Sequence, residues 1–321
     1  TDGWATGIVL MLAGARAYRE AAHSLSVSYD TETVFDYFAA EVFDRMPRSQ
    51  QRLLAQIAML PEATEAMAGS LTGDPDAGSA LASLARAGLF VERRRSPPHR
   101  QDAPVFVFHA LFSAFLRSRA MHLLSEEAIV QLRRRAGQLL EASELFDQAL
   151  ELYLAAQTWV DAERVIAIEA ERLLDQGRAQ ALSNAIARLP ATSRAAPWMQ
   201  YWLGRTLLGD SVGTGYFTSA FEGFKRRRNR RGMLLAAASA AESIALAGTS
   251  VESLDRWIGE FAVVADAIDS SDSSLDQLLL PGMLAALIVR RPEHPLALTL
   301  VTRAEQRLED RRFSNHPTLL T

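Results

Sequence analysis

Cysteine is absent from this 321-residue chain. A disulfide framework, a thiolate metal site and a thiol nucleophile are therefore excluded. Long apolar runs are missing as well. Runs such as Ile8 to Ala13 are far short of the roughly 20 residues that cross a bilayer, and no signal-peptide pattern precedes that one. These absences lead us to expect a cytoplasmic protein with no membrane partner. An excess of positive charge is lacking too. Lys and Arg number 34 against 38 Asp and Glu, a formal net charge of −4, whereas general nucleic-acid binders carry a basic footprint.

Chemical motifs are equally scarce. No G-x-x-x-x-G-K-[ST] phosphate loop and no H-E-x-x-H pair occur. The six histidines are scattered, His109 and His122 among them, with no metal-ligand spacing, so no metal site is expected. Gly209-Asp210-Ser211-Val212-Gly213 fits the G-x-S-x-G pattern of a nucleophile elbow. That elbow needs a strand before it and a helix after it, and here helical pattern flanks both sides. Glu126-Glu127 reads as the acidic first turn of a helix. Catalysis by this chain alone is not expected.

What is present is a folded composition, 49% hydrophobic and 22% charged, long enough for two or more domains. Residues 2–23 read as one helix with Asp2 as its cap. Residues 33–46 form a second, with Val34, Phe35, Phe38, Val42 and Phe43 on one side, and Pro47 ends it and opens a third. A short helix over 63–71, a turn over 72–76 and a helix over 77–87 stopped by Gly88 follow. Leu89-Phe90-Val91 and Val105-Phe106-Val107-Phe108 read as strands, separated by the charged, proline-broken loop 92–104. Short helices followed by a hairpin with a long wing are the order of a winged helix. The helix before the hairpin offers only Ser79, Ser83 and Arg86, a poor set for reading bases. Arg93, Arg94, Arg95 and Arg100 suit phosphate contacts, a solvated wing or an intramolecular docking surface. The stretch Val105 to Arg119 then runs from strand directly into helix, with His109 at the joint.

Three runs carry a family likeness. Asp2-Gly3-Trp4-Ala5-Thr6-Gly7 resembles a T-E-G-W-x-x-G-L helix. Phe35-Asp36-Tyr37-Phe38 with Glu41-Val42 resembles F-D-Y-L-x-x-E-V, and Phe108-His109-Ala110-Leu111-Phe112 with Phe115-Leu116-Arg117 resembles Y-H-x-L-F-x-x-F-L-R. These are motifs, in order, of MalT-like transcriptional activators, signal-transduction ATPases of the LuxR type. The resemblance implies that residues 1–28 close a nucleotide-binding region, that 29–120 are a winged helix, and that His109 reaches the β-phosphate of bound ADP in the resting form. ATP and ADP then belong to the parent protein, not to this fragment, since the phosphate loop is missing. DNA would be bound only through a C-terminal helix-turn-helix that this chain also lacks. The start at Thr1 reads as a cut from something longer.

From Ser125 onward helices are expected at 125–141, 144–156, 159–175, 178–188, 197–208, 214–228, 232–247, 252–267, 275–290 and 295–312. Ala149 to Tyr153, Ala185 to Leu189 and Ala220 to Phe224 each set a small residue four positions before a large one. The copies are spaced by 36 and 35 residues, near the tetratricopeptide period. The fold class expected is thus mostly α, a winged-helix domain followed by a tetratricopeptide-like solenoid over 121–321, about five hairpins with a concave surface. Trp198, Tyr201, Trp202 and Arg205 share one face, which suits either a small-molecule effector or inter-repeat packing. Lys225, Arg226, Arg227, Arg228, Arg230 and Arg231 suit either a solvated helix end or an acidic or phosphate-bearing partner. The function expected is the central switch and effector-sensing segment of an ATP-dependent activator that self-associates when active. The alternative is a repeat scaffold for protein–protein contacts with no nucleotide role.

Overall fold

The structure, a computed structural model, describes residues 39–40, 43–88, 90–95, 103–248, 251–265 and 273–309. The helix read over 2–23, the first of the three family-like runs, most of the second, and Arg100 lie outside the described residues. Two compact units divide at Thr158 and Trp159.

In the first unit, helix α1 (Arg48–Ile57) starts directly after Pro47, as the sequence predicts. The Gln51 amide reaches back to the Met46 carbonyl at 2.9 Å. Strand β1 (Ala63–Thr64) falls where the sequence predicts the start of a helix. It pairs instead with β3, and Thr64 then caps α2 (Glu65–Thr72) by accepting from the Met67 N–H. Asp74 closes an Asx-type turn onto the Asp76 N–H, leading into α3 (Ala77–Arg86). Gly88, in the left-handed region, ends that helix.

Strands β2 (Val91–Arg94) and β3 (Val105–Phe108) then pair antiparallel, giving the order β1-β3-β2. β2 reaches past the expected Val91 because Arg93 and Arg94 sit opposite Phe106 and Val105 on the edge, where charges are tolerated. Helix α4 (Ala110–Leu123) follows. Its Phe112 stacks on Phe90, and Phe115 meets Phe43 edge to face, so the strand-to-helix joint anchors the aromatic core. Three strands and short helices around one core make this a winged helix.

Helices α5 (Glu126–Ala142) and α6 (Phe146–Ala155) complete the unit as a hairpin. Ser125 caps α5 by accepting from the Ala128 N–H, and Glu126 and Glu127 occupy its first turn. Gly137 lies under the Tyr153 ring, which a Cβ there would approach to 2.6 Å. From α5, Arg135 donates to the Ser70 carbonyl of α2.

The second unit comprises α7 (Trp159–Asp175), α8 (Ala179–Ala187), α9 (Ala191–Arg194), α10 (Pro197–Thr206), α11 (Ser211–Arg226), α12 (Arg230–Ala247), α13 (Leu254–Ala265), α14 (Ser273–Arg290) and α15 (Pro295–Glu309). Helix α11 starts three residues ahead of expectation because Asp210 caps it, accepting from the Val212 N–H. The G-x-S-x-G run is therefore a helix-to-helix turn. Helix α12 is central: every residue from Leu234 to Ile244 is buried, and it packs on α11, α13 and α14. Its alanines permit that approach. Gly282 of α14 sits so near the Ala238 carbonyl that a Cβ would lie 2.0 Å from it.

Ion pairs in this unit recur at a similar separation in sequence. Glu222 of α11 binds Arg256 of α13, 34 residues on. Lys225 binds Glu260 and Asp255 binds Arg290, each 35 apart, and Asp255 also binds Arg291, 36 apart. The Arg290 and Arg291 guanidiniums hold the Asp255 carboxyl below the usual carboxylate range. Of the three small-to-large segments, Ala149 with Tyr153 and Ala220 with Phe224 are fully buried. At the third, Leu189 is buried and Ala185 is partly exposed.

Helix ends recur as well. The N–H groups of Leu145, Thr158, Arg178 and Asn229 each reach back five residues, to the carbonyls of Leu140, Tyr153, Leu173 and Phe224. The residue before each donor (Glu144, Gln157, Gly177 and Arg228) is left-handed, the Schellman pattern. Only one of these is glycine.

Two stability outcomes are expected. Arg228→Gly should stabilise by about 0.5–1 kcal/mol, because it relieves a left-handed non-glycine residue; chemical denaturation checks this. Gly282→Ala should destabilise by about 1–3 kcal/mol, since backbone blocks the added methyl, and the same assay reads it.

Candidate functional site

Two places gather the residues that the sequence singles out. At the first, His109 is the residue ahead of α4, with φ −53° and ψ 138°. Its own N–H donates to the Phe90 carbonyl at 2.8 Å, and its carbonyl accepts from Ser113 at 2.8 Å. The half-buried imidazole is thus fixed at the mouth of a 14-residue helix. The N–H groups of that helix's first turn have no intrahelical acceptor, and they favour an anion there.

The second place is the seam between α10 and α12. Tyr201 and Trp202 are buried, at 0% and 6% exposure, rather than displayed on a surface. Trp198 meets Tyr201 and the Phe224 ring edge to face, and Tyr201 also packs on Trp202 and Phe217. Packing of α10 on α11 therefore accounts for the aromatic carbon surface. Among the polar atoms, the Arg205 guanidinium lies against the Tyr201 hydroxyl, and Trp202 Nε1 is buried without a hydrogen-bond partner.

Burial works against the Arg205 charge, but the neighbouring Tyr201 and Glu242 outweigh it and hold the guanidinium above its ordinary value. Glu242, on α12, is only 2% exposed. Burial pushes its carboxyl up, and Arg205 offsets part of that. One turn back on the same face, Ser239 is fully buried with its hydroxyl unpartnered. One residue beyond Glu242, Ser243 accepts from the Gly209 N–H and donates to the Asp210 carbonyl, tying the α10–α11 turn to α12.

Residues 39–128 match the family model of the MalT winged helix domain. The winged helix is MalT-like. The match runs from just before α1 through the start of α5 and includes the third family-like run with His109. In this MalT-like domain the helix before the hairpin presents Ser79, Ser83 and Arg86 outward, and Arg86 bonds its own helix at the Ala82 carbonyl.

The basic run lies at the α11–α12 turn. Lys225 pairs with Glu260 and covers the Phe221 ring. Arg226, Arg227, Arg228, Arg230 and Arg231 are exposed. The structure therefore brings Tyr201, Trp202 and Arg205 together on α10 with Glu242 within electrostatic reach of Arg205, while His109 belongs to the first unit and the basic run to the α11–α12 turn. Sequence reading passed over Ser239, Glu242 and Ser243 because they sit inside an alanine-rich helical run. A lone acid 37 residues after a lone arginine, about one repeat, was the available signal. Among the described residues no helix is long and apolar enough to cross a membrane, and no cluster of three or more His, Asp or Glu is arranged to hold a metal.

Buried Glu242 carries a pH signature. A glutamate whose folded value is raised contributes stability below its ordinary value near 4.5 and loses that contribution as pH rises through the folded value. Wild type should therefore exceed Glu242→Gln in stability most at about pH 4, with the gap narrowing towards neutrality. Paired denaturation curves across that range check it. Ser243→Ala should cost about 1–3 kcal/mol, because it strips the Gly209 and Asp210 backbone groups of their partner.

Proposed function

We propose that this chain is the switch and effector-sensing segment of an ATP-dependent transcriptional activator of the MalT-like kind. The observation that carries the reading is the MalT winged helix match, which spans the joint where His109 stands beside the unbonded N–H groups of α4. That combination suits the phosphate of a nucleotide held by a neighbouring nucleotide-binding region. With ADP bound, His109 and the helix end hold the winged helix docked in a closed form. Ligand on the helical array of the second unit, together with ATP, favours an open form that self-associates and acts on DNA through a separate helix-turn-helix. The mechanism is a population shift: each ligand biases the equilibrium by its differential affinity for the two forms. The 34–36-residue spacing of the ion pairs supports a tetratricopeptide-like array as the sensing part.

The test is His109→Ala in the intact parent protein. Losing one charge-assisted hydrogen bond, about 1.5–3 kcal/mol, should raise effector-independent transcription roughly tenfold or more and speed release of labelled ADP. A variant that only melts earlier, with ADP release and basal transcription unchanged, would reduce His109 to a structural residue and favour the scaffold reading.

A further inference from the structure

The α11–α12 turn concentrates positive charge in a chain whose formal net charge is −4. Lys225 is engaged by Glu260. Arg226, Arg227, Arg228 and Arg230 are exposed, and their side chains make no ion pair among the described residues. The local structure does not call for so many cations. Arg226 and Arg227 suit the C-terminal dipole of α11, but Arg230 opens α12, where a cation is disfavoured. Arg228 holds a left-handed angle that glycine would take without strain. Like charges this close in sequence also repel one another.

The make-up of the patch narrows what complements it. Guanidiniums form paired hydrogen bonds with phosphate or carboxylate oxygens. A stable protein–protein contact centres on aromatic or aliphatic anchors, and residues 225–231 contain none. Phe224 before them and Gly232 after them are buried. Single-stranded nucleic acid takes stacking aromatics beside the cations, which the run also lacks. Duplex DNA needs neither, because contacts to its phosphates are electrostatic and independent of sequence.

We infer that the exposed arginines of the α11–α12 turn contact the phosphate backbone of duplex DNA without reading its sequence. The footprint is local, in keeping with the acidic balance of the whole chain. The contact deepens the proposed regulator role by giving the helical array a hold on DNA beside the site that a separate helix-turn-helix selects. Its use in the cell rests on that reading; binding by this chain does not.

The experiment is fluorescence anisotropy of the full 321-residue chain with labelled duplexes of two unrelated sequences, from about 50 to 200 mM salt. One variant combines Arg226→Gln, Arg227→Gln and Arg230→Gln, and a second places Lys at the same three positions. A third, Arg93→Gln with Arg95→Gln, removes charge from the wing. The two duplexes should bind within about twofold of each other. The glutamine variant should bind roughly tenfold or more weakly at the lowest salt, with the log–log salt slope flatter by about 3. The lysine variant should keep most of the affinity, and the wing variant all of it. Because these side chains are exposed, every variant should melt close to the wild-type temperature.

No duplex binding by wild type at the lowest salt overturns the proposal, as does equal binding by the glutamine variant or a loss confined to the wing variant. Polyglutamate that displaces the duplex as well as unlabelled duplex does, at equal charge, would assign the patch to an acidic protein instead. A single strand that binds more tightly than the duplex overturns it too, and so does a glutamine variant that melts well below wild type. Duplex binding with unchanged promoter occupancy by the glutamine variant of the parent protein would leave the surface standing and remove only its regulatory use.

Discussion

Close approach through small side chains is the constraint on which the helical unit depends. Helix α12 is buried from Leu234 to Ile244, and a helix buried all round has to be apolar nearly all round. Five alanines between Ala236 and Ala241 let α14 come against its backbone at Gly282. The same device appears where Gly204 lies under Phe217, Gly232 under Phe224 and Gly137 under Tyr153. In each case a missing side chain on one helix admits a ring from another. Exposed ion pairs from α11 to α13 and from α13 to the end of α14 add modest support; the register is set by shape.

Against that close packing, Arg205 on α10 and Glu242 on α12 stand out as buried charges within electrostatic reach of each other, in an interior where an ionised group persists only with compensation. At the other end of the chain the arrangement differs. The winged-helix core is satisfied and aromatic, and the functional candidate His109 sits at its rim, tied by backbone bonds on both sides.

The sequence was most legible where periodicity and punctuation agree. The strand-to-helix joint at Val105 to Leu116, the Pro47 start and the Gly88 stop all lie where composition puts them, and the family-like run around Phe108 falls inside the matched domain. Three small-to-large pairs spaced by 36 and 35 residues were visible in the sequence, and two of them are fully buried. Less legible were features set by partners far away in sequence. Ala63–Thr64 reads as helix until β3 pairs with it, and the extension of β2 through Arg94 depends on Phe106 and Val105. At the α10–α12 seam the sequence offered the aromatic stripe and Arg205. It could not say that the rings face inward onto α11 or that Glu242 would stand opposite, because both follow from the stacking of one repeat on the next.

Phe90 deserves a last consideration. It is a bulky residue at φ 58°, a conformation such side chains avoid at a cost of order 1–3 kcal/mol. Its ring is gripped by Phe112, and its carbonyl holds the His109 N–H. Glycine would relax the backbone but surrender the ring contact, and any other large residue would keep the strain. The aromatic core thus fixes, through one unfavourable backbone angle, the carbonyl that positions the histidine.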